Sequence, residues 1–437
     1  MLRKNIWLYM LLCSFSNLLF GQTVLKTSET KIDVSQLKSD FIELNKTIKI
    51  WWDKDIHTAY EKDIKEYKSA YGLQFLPFPY VSGGGSESFF VDMYGWDIYF
   101  VNMALLKHGR TDLVKNHILD QLFMIERYGY VVNGNNTGLI TRSQPPFLAL
   151  SLLEYFNVTK DTSLLYFAFP LLENEYKNYW NAPHHSTPIG LTTCRDMGDK
   201  GLRPDLASEA ETGLDFCALY NGKVSECVPL HVNCALVKYE ESLSVIAGIL
   251  KFDQKETLYK AKAEERSEKI REYCWNDSDG FFYEYNYVKK GQTKVKSLCA
   301  YWTIWAGVAT KRQEVKLVEN IRWFEHQYGL SFTSENYASP HPEFQWLQWG
   351  YPVAWAPMHI IIVESLNMMG EKEIADRIAE KYLSMVIENY KKTGNLWEKY
   401  NAVDGSLNFQ TERYGNPALH DWTSAAVVLL GNWLFSK

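Results

Sequence analysis

The sequence predicts an all-α protein, an (α/α)6 barrel or toroid whose long loops gather at one end and form a site there. Three observations predict this fold. Helix-like stretches number about twelve and recur at fairly even spacing. No strand-rich segment stands out among them, and no low-complexity linker divides the chain. No fixed-period repeat appears, which argues against a helical solenoid.

The first residues carry the pattern of a secretory signal peptide. Arg3 and Lys4 supply positive charge, residues 6–20 are mostly apolar, and a small residue follows at a plausible cleavage point. The apolar run is short for a membrane-spanning helix, which needs about 20 residues. We therefore expect residues 1–21 to be removed and residues 22–437 to form one domain. The mature chain would be periplasmic or secreted, without membrane association.

After this leader, apolar periodicity predicts twelve helices, over residues 36–68, 93–108, 111–128, 144–157, 162–181, 231–251, 255–275, 297–310, 313–327, 352–369, 371–391 and 417–435. The formal net charge of −6 comes from 46 basic and 52 acidic residues. A nucleic-acid-binding protein would instead concentrate basic residues. Twelve helices without a linker suit six inner and six outer helices in one domain.

Six cysteines follow the leader, at positions 194, 217, 227, 234, 274 and 299. Export would permit disulfides, and the four cysteines between 194 and 234 make one local bridge plausible. No CxxC or HExxH motif is present, so the sequence predicts no metal site. The pair His184–His185 is expected on a loop surface rather than as a ligand.

Two loops in the first half concentrate polar and aromatic side chains. In residues 83–100, Trp96 and Asp97 stand at the start of a helix, and Asp97 either caps that helix or binds a ligand hydroxyl. Residues 133–149 supply donors and acceptors in a short space from Asn133, Arg142 and Gln144. The arginine lacks acidic neighbours in the sequence. It therefore contacts a ligand or satisfies loop carbonyls.

The segment 203–217 holds one carboxylate unlike its neighbours. Asp215 is flanked by Leu214 and Phe216, whereas the other acidic residues share a charged stretch with Arg203. Apolar surroundings disfavour the charged form of a carboxyl group and raise its pKa. A general acid that works near neutral pH requires this property.

Two later segments offer rings and a second carboxylate. Residues 343–359 contain three tryptophans, among them Trp349, which either stack on a sugar or pack in the core. Residues 394–422 contain two candidate bases, Glu398 and Glu412. Hydrolysis of a glycosidic bond needs two carboxyl groups, one to protonate the leaving oxygen and one to activate water or attack carbon. Asp215 and one of these glutamates could form such a pair.

Seven stretches in chain order resemble the motifs of the trehalase family, glycoside hydrolase family 37. They are FVDMYGWDIY (90–99), NGN (133–135), RSQPP (142–146), RP (203–204), AETGLDF (210–216), VPLHVN (228–233) and QWGYPVAWAP (348–357). The resemblance spans most of residues 83–435. It implies an (α/α)6 barrel, an inverting mechanism without cofactor or metal, and a small sugar as substrate.

The resemblance also implies a role for each candidate residue. Asp215 would be the general acid and Glu398, in an E-K-Y motif, the general base. Glu412 would contact substrate, and the two glutamates exchange roles if that choice is wrong. The other sugar contacts would be Trp96, Asp97, Asn133, Arg142, Gln144, Arg203 and Trp349.

Several family positions differ in this chain. Two family arginines are absent, and Gly350 stands where the family has aspartate. Each charge-assisted hydrogen bond is worth about 1.5–3 kcal/mol, so their loss could change specificity by orders of magnitude. Trehalose is the leading substrate. Another α-glucoside or a substituted disaccharide is the alternative, as is a sugar-binding relative without catalysis.

Overall fold

The computed structural model describes residues 32–66, 72–83, 91–410 and 415–436, which belong to one compact unit. Its α-helices are α1 (Val34–Lys54), α2 (Glu61–Glu66), α3 (Asp97–Lys107), α4 (Thr111–Tyr128), α5 (Leu148–Thr159), α6 (Thr162–Glu175), α7 (Pro204–Ala210), α8 (Leu230–Ile249), α9 (Asp253–Cys274), α10 (Trp302–Trp305), α11 (Lys311–Asn320), α12 (Ala356–Met368), α13 (Lys372–Thr393) and α14 (Asp421–Phe435). The predicted leader, residues 1–21, lies outside the described residues, and its boundary stays a prediction.

Short antiparallel strands tie the loops together. They are β1 (Ile56–His57), β2 (Tyr80–Val81), β3 (Cys227–Val228), β4 (Trp275–Asn276), β5 (Phe281–Phe282), β6 (Tyr285–Asn286), β7 (Gly291–Gln292), β8 (Glu325–His326), β9 (Gly329–Leu330), β10 (Val353–Trp355) and β11 (Lys399–Asn401). They pair as β1–β2, β3–β6–β7, β4–β5, β8–β9 and β10–β11. None exceeds three residues, so they anchor loops and do not form a separate sheet layer.

Six helices close into an inner ring. Each contacts the next in the order α3, α5, α8, α10, α12 and α14, and α14 packs back against α3. The helices α1, α4, α6, α9, α11 and α13 alternate with them along the chain and form the outer layer. The predicted (α/α)6 barrel is therefore confirmed.

The sequence explains the outer helices by their periodicity. The buried residues of α13 recur at helical spacing, as in Ala375, Ile378, Ala379, Tyr382 and Val386, whereas its other face carries charges. The helix ends at Gly394, whose φ of 76° is the left-handed conformation that glycine adopts most readily. Inner helices such as α8 are buried on most faces because both layers cover them.

Several predicted boundaries differ from the structure; for example, the helix predicted over 297–310 is a 3-10 turn followed by the short α10. The helix predicted over 36–68 ends at Lys54, and β1 and the separate helix α2 follow it. The segment 182–230, predicted as loop, contains α7 and β3. These elements have two to seven residues, too few to show a helix or strand period.

All six cysteines after the leader are buried and free. The local disulfide expected between 194 and 234 is therefore absent, and these thiols pack as small apolar side chains. Among the described residues, none of the helices has both the length and the apolar character needed to span a bilayer.

Candidate active site

One cavity at the loop end of the barrel collects most of the predicted site residues. Its volume is about 840 Å³ including the open mouth. It is lined by Gly83, Tyr94, Trp96, Asp97, Asn133, Leu139, Arg142, Gln144, Leu202, Ala210, Gly213, Asp215, Gln348, Trp349, Glu398, Leu419 and Trp422. Each of the five loop segments examined in the sequence contributes to this lining.

Two predicted residues are not in this lining. Arg203 points its guanidinium to Glu343, with Nε 2.7 Å from Oε1, and its side chain is 43% exposed. The structure therefore does not bring Arg203 to the cavity. Glu412 lies outside the described residues, so its predicted sugar contact stays a prediction. Gly350, where the family has aspartate, lines a separate, smaller pocket and is not part of the main cavity lining.

Backbone and amide contacts fix Trp96 and Asp97 at the start of α3. The Gly95 N–H donates to the Asn133 carbonyl at 2.9 Å, and the Trp96 N–H donates to Gln144 Oε1 at 3.0 Å. Gln121 Nε2 donates to the Gly95 carbonyl at 2.7 Å. One side of Gln144 is thus engaged in positioning the neighbouring loop.

Asn133 joins three loops rather than standing free for a ligand. Its side-chain amide donates to the carbonyls of Ser143 at 3.3 Å and Ala210 at 3.2 Å. Its backbone N–H donates to the Arg142 carbonyl at 2.8 Å. The residue lines the cavity while holding its walls together.

Arg142 has acidic partners that its sequence neighbourhood does not reveal. Its Nη1 lies 2.6 Å from Asp199 and 3.3 Å from Asp196, and all three side chains are buried. The interpretation of an arginine without acidic partners is therefore wrong. Both aspartates come from the loop that precedes α7, and they neutralise the charge that Arg142 brings to the cavity wall.

A buried glutamate that the sequence analysis missed anchors the same wall. Glu211 accepts hydrogen bonds from His185 Nε2 at 3.0 Å, from the Arg195 N–H at 2.7 Å and from the Tyr179 hydroxyl. Burial alone would raise the pKa of Glu211, but the His185 charge and these donors outweigh it and lower the pKa. His185 is 1% exposed, so its predicted place on a loop surface is wrong.

Asp215 sits in a segment held from both sides. The preceding Gly213 has φ 74°, and an added Cβ would lie 2.9 Å from the Trp96 ring, so glycine is required there. The flanking Leu214 and Phe216 are buried, as expected from their apolar character. The Trp349 N–H donates to the Phe216 carbonyl at 3.1 Å, which ties the two motifs together.

Glu398 enters the cavity from the segment just before β11. Its side chain is 7% exposed, and Oε2 lies 2.6 Å from Lys399 Nζ, which is fully buried. Its backbone N–H donates to the Pro417 carbonyl at 3.1 Å, and its carbonyl accepts from Trp422 Nε1 at 3.2 Å. Pairing of β11 with β10 places this segment beside the tryptophan-rich motif.

Asp97 is a buried carboxyl group of the cavity whose pKa is strongly raised. Burial raises its pKa to about 8, and the negative charges of Glu398 and Asp215 act in the same direction. Burial also raises the pKa of Asp421 well above its usual range, with the charge of Asp97 contributing. The N-cap of α3 is Trp96, and Asp97 Oδ2 has no hydrogen-bond partner. These facts favour the hydroxyl-binding interpretation of Asp97 over helix capping.

The tryptophan-rich motif packs in the core and also borders the cavity, and its stacking on a sugar stays a prediction. Trp349 stacks on Trp355 with ring centroids 3.9 Å apart, and both lie in the core. Trp349 also borders the cavity together with Trp96 and Trp422. The ring centroids of these three tryptophans lie 6.0–6.3 Å apart. The cavity floor is thus the top of an aromatic core.

Comparison with known proteins places this geometry in context. The chain matches the family described as Trehalase over residues 22–204 and 207–421. It is 29% identical over 420 residues to a cytosolic neutral trehalase of Saccharomyces cerevisiae, covering 82% of this chain and 55% of that protein. It is 26% identical to a cytosolic neutral trehalase of Kluyveromyces lactis, covering 78% of this chain and 53% of that protein.

A solved structure gives the same assignment of fold. The neutral trehalase from Saccharomyces cerevisiae superposes with a TM-score of 0.72 at 25% identity, covering 86% of this chain and 80% of that one. The chain spans about half the length of the curated relatives it matches. Because both of those relatives are cytosolic, the expected periplasmic or secreted location is wrong.

Proposed function

Because the chain belongs to the trehalase family, we propose that it is an inverting glycosidase that hydrolyses α,α-trehalose to two molecules of glucose. The observation that carries the proposal is the cavity itself. Asp215 and Glu398, from distant parts of the chain, line one polar cavity with a tryptophan floor. Hydrolysis of a glycosidic bond requires such a pair of carboxyl groups, and the neighbouring rings offer a surface on which the apolar face of a sugar can stack.

In the proposed reaction, Asp215 is the general acid and protonates the glycosidic oxygen. Glu398 is the general base and removes a proton from a water molecule that attacks the opposite face of the anomeric carbon. Inverting enzymes keep about 6.5–9.5 Å between the two carboxyl groups so that this water fits. Lys399, 2.6 Å from Glu398, orients the base. No step uses a cofactor or metal.

The neutral form of Asp97 gives this residue a distinct role in sugar binding. With a pKa of about 8, its carboxyl group keeps its proton at pH 7. It can then donate an O–H to a sugar oxygen, which an ionised carboxylate cannot do. Its protonation also avoids a negative charge beside the proposed base Glu398 and beside Asp215, which must itself hold a proton to act as the acid.

Proton NMR of the protein mixed with trehalose tests the proposal. Inversion at one of the two anomeric carbons releases one α-glucose and one β-glucose. We expect equal early signals of both anomers from the wild-type protein and none from Asp215→Asn or Glu398→Gln. The control Asp205→Asn, which removes a carboxylate paired with Lys223, should retain turnover.

The other outcomes decide among the alternatives. Turnover of a different α-glucoside without turnover of trehalose would show that trehalose is not the substrate, while the proposed roles of the two carboxyl groups would stand. Release of α-glucose alone would contradict inversion. Sugar binding without turnover of any α-glucoside would identify a binding protein and overturn the proposal.

A further inference from the structure

A second cluster of chemically active side chains lies in the barrel interior, outside the cavity. His231 is on the first turn of α8, Glu284 is in the turn between β5 and β6, and Cys299 is in the 3-10 turn before α10. One ligand atom from each lies within 4.8 Å of the other two, and all three residues are buried. Three separate elements therefore bring a nitrogen, an oxygen and a sulfur together.

Two of these atoms lack hydrogen-bond partners. His231 Nε2 lies 2.8 Å from the Thr212 carbonyl, which can only accept, so this nitrogen carries the proton. The other nitrogen, Nδ1, therefore presents a lone pair, and it has no partner. Glu284 Oε2 accepts from the Leu230 N–H at 2.5 Å, whereas its Oε1 has no partner. Buried acceptors without donors are rare in native proteins.

The surroundings supply no counter-charge for the carboxylate. Within the described part of the chain, no Lys, Arg or His forms an ion pair with Glu284. Two further thiols, Cys217 and Cys234, are close enough to Cys299 to interact with it electrostatically. The cluster thus combines a carboxyl group, an imidazole lone pair and thiol sulfur in the barrel interior.

We propose that His231 Nδ1, Glu284 Oε1 and Cys299 Sγ bind one zinc ion. Zinc takes nitrogen, oxygen and sulfur ligands at about 2.0–2.3 Å in tetrahedral geometry. Such ligand atoms stand roughly 3.3–3.8 Å apart, which small side-chain rotations reach from the present arrangement. Binding displaces two protons to solvent, that of the Cys299 thiol and that of the Glu284 carboxyl group, whose pKa burial raises to about 8, since the ligands are the thiolate and the carboxylate. Water or a neighbouring thiol would complete the fourth position.

The contacts around the cluster match those of a metal site. Histidines that ligate a metal usually donate their other ring N–H to a carbonyl or carboxylate, and ligating carboxylates are themselves hydrogen-bonded. His231 and Glu284 each make this outer contact. The zinc ion would fix the ring of His231, which donates to the Thr212 carbonyl three residues before Asp215, and so stabilise the segment that carries the proposed acid. The inference does not depend on the proposed sugar hydrolysis.

The first measurement is the zinc content of the full-length wild-type protein after dialysis against metal-free buffer. We expect inductively coupled plasma mass spectrometry to find one zinc ion per chain. Replacement by cobalt should give a thiolate-to-cobalt charge-transfer band. A protein that takes up no zinc from zinc-containing buffer and shows no such band would overturn the proposal, and a buried water would then satisfy the two acceptors.

Variants locate the ion. Cys299→Ala and Glu284→Gln should lose zinc, and Cys299→Ala should also lose the cobalt band. The matched control Cys194→Ala, another buried free thiol, should keep both. Full zinc content in both ligand variants would place the ion elsewhere and refute the assignment. If the ligand variants do not fold, the zinc content and cobalt band of the wild-type protein still decide whether a thiolate-bound metal exists.

Discussion

Asp97→Asn should stabilise the protein increasingly as the pH rises. Burial raises the pKa of Asp97 from 3.8 to about 8, so between these values the folded protein holds a proton that the unfolded chain has lost. Folding must then take up a proton, and this becomes harder at higher pH. The stability that the protonated Asp97 contributes is fully present below pH 3.8, and it is lost as the pH rises through 8. Asparagine resembles the protonated acid and does not titrate.

The size of the effect follows from this difference in pKa. Each pH unit corresponds to about 1.36 kcal/mol of free energy. Through Asp97, the free energy of unfolding of the wild-type protein therefore falls by about 4 kcal/mol by pH 7 and by about 6 kcal/mol above pH 8. The free energy of unfolding of Asp97→Asn should exceed that of the wild type by amounts of this order. The gap should close near pH 4. Activity should fall, because the amide lacks the O–H that the protonated acid is proposed to donate to a sugar oxygen.

Urea unfolding followed by tryptophan fluorescence, at pH 5, 6, 7, 8 and 9, measures this gap. Asp112→Asn is a control of opposite sign, because a hydrogen bond from Arg110 lowers the pKa of Asp112. Its stabilising contribution is present above the unfolded pKa and is lost as the pH falls, and it is small because the side chain is 63% exposed. A constant gap between Asp97→Asn and wild type across pH 5–9 would refute the reasoning.

Two further predictions concern the base and the helix packing. Lys399→Met removes the buried donor 2.6 Å from Glu398, and we expect kcat to fall by about 10- to 100-fold, the worth of one charge-assisted hydrogen bond. Steady-state kinetics with an unchanged kcat would contradict an orienting role. Gly431→Ala places a Cβ against the ring of Phe41 where α14 meets α1, and overpacking of this kind costs about 1–3 kcal/mol. Thermal unfolding should show this loss, whereas Gly291→Ala, with open space around it, should leave the melting temperature unchanged.

The sequence predicted the barrel because long helices repeat their apolar period several times. Helix α13 shows this period over six turns, and every predicted helix overlaps an observed one. The end of α1 at Lys54 was missed because apolar and charged residues continue beyond it through α2. The strands were missed because two or three residues contain no period to detect. Their positions depend on which loops the barrel brings together.

The site was predictable where a motif lies on one segment and unpredictable where partners meet through the fold. The apolar environment of Asp215 was predictable because its buried neighbours Leu214 and Phe216 are adjacent to it in the sequence. Arg142 does not, because Asp199 joins it from 57 residues further along the chain. His185 was misplaced for the same reason, since its partner Glu211 belongs to another loop. A pair of histidines in a polar loop gives no signal of such a partner.

The charges of the cavity point to the kind of sugar it can accept. Among the described lining residues, the acidic groups are Asp97, Asp215 and Glu398, and the basic group is Arg142. Arg142 is already neutralised by two buried aspartates, so it offers little attraction to an anion. A phosphorylated or carboxylated sugar would bring a negative charge beside the proposed base Glu398 in a poorly hydrated space, which is unfavourable. If the chain acts as proposed, we therefore expect the cavity to favour an uncharged sugar, and inhibition by anionic sugars should be weak compared with that by neutral disaccharides.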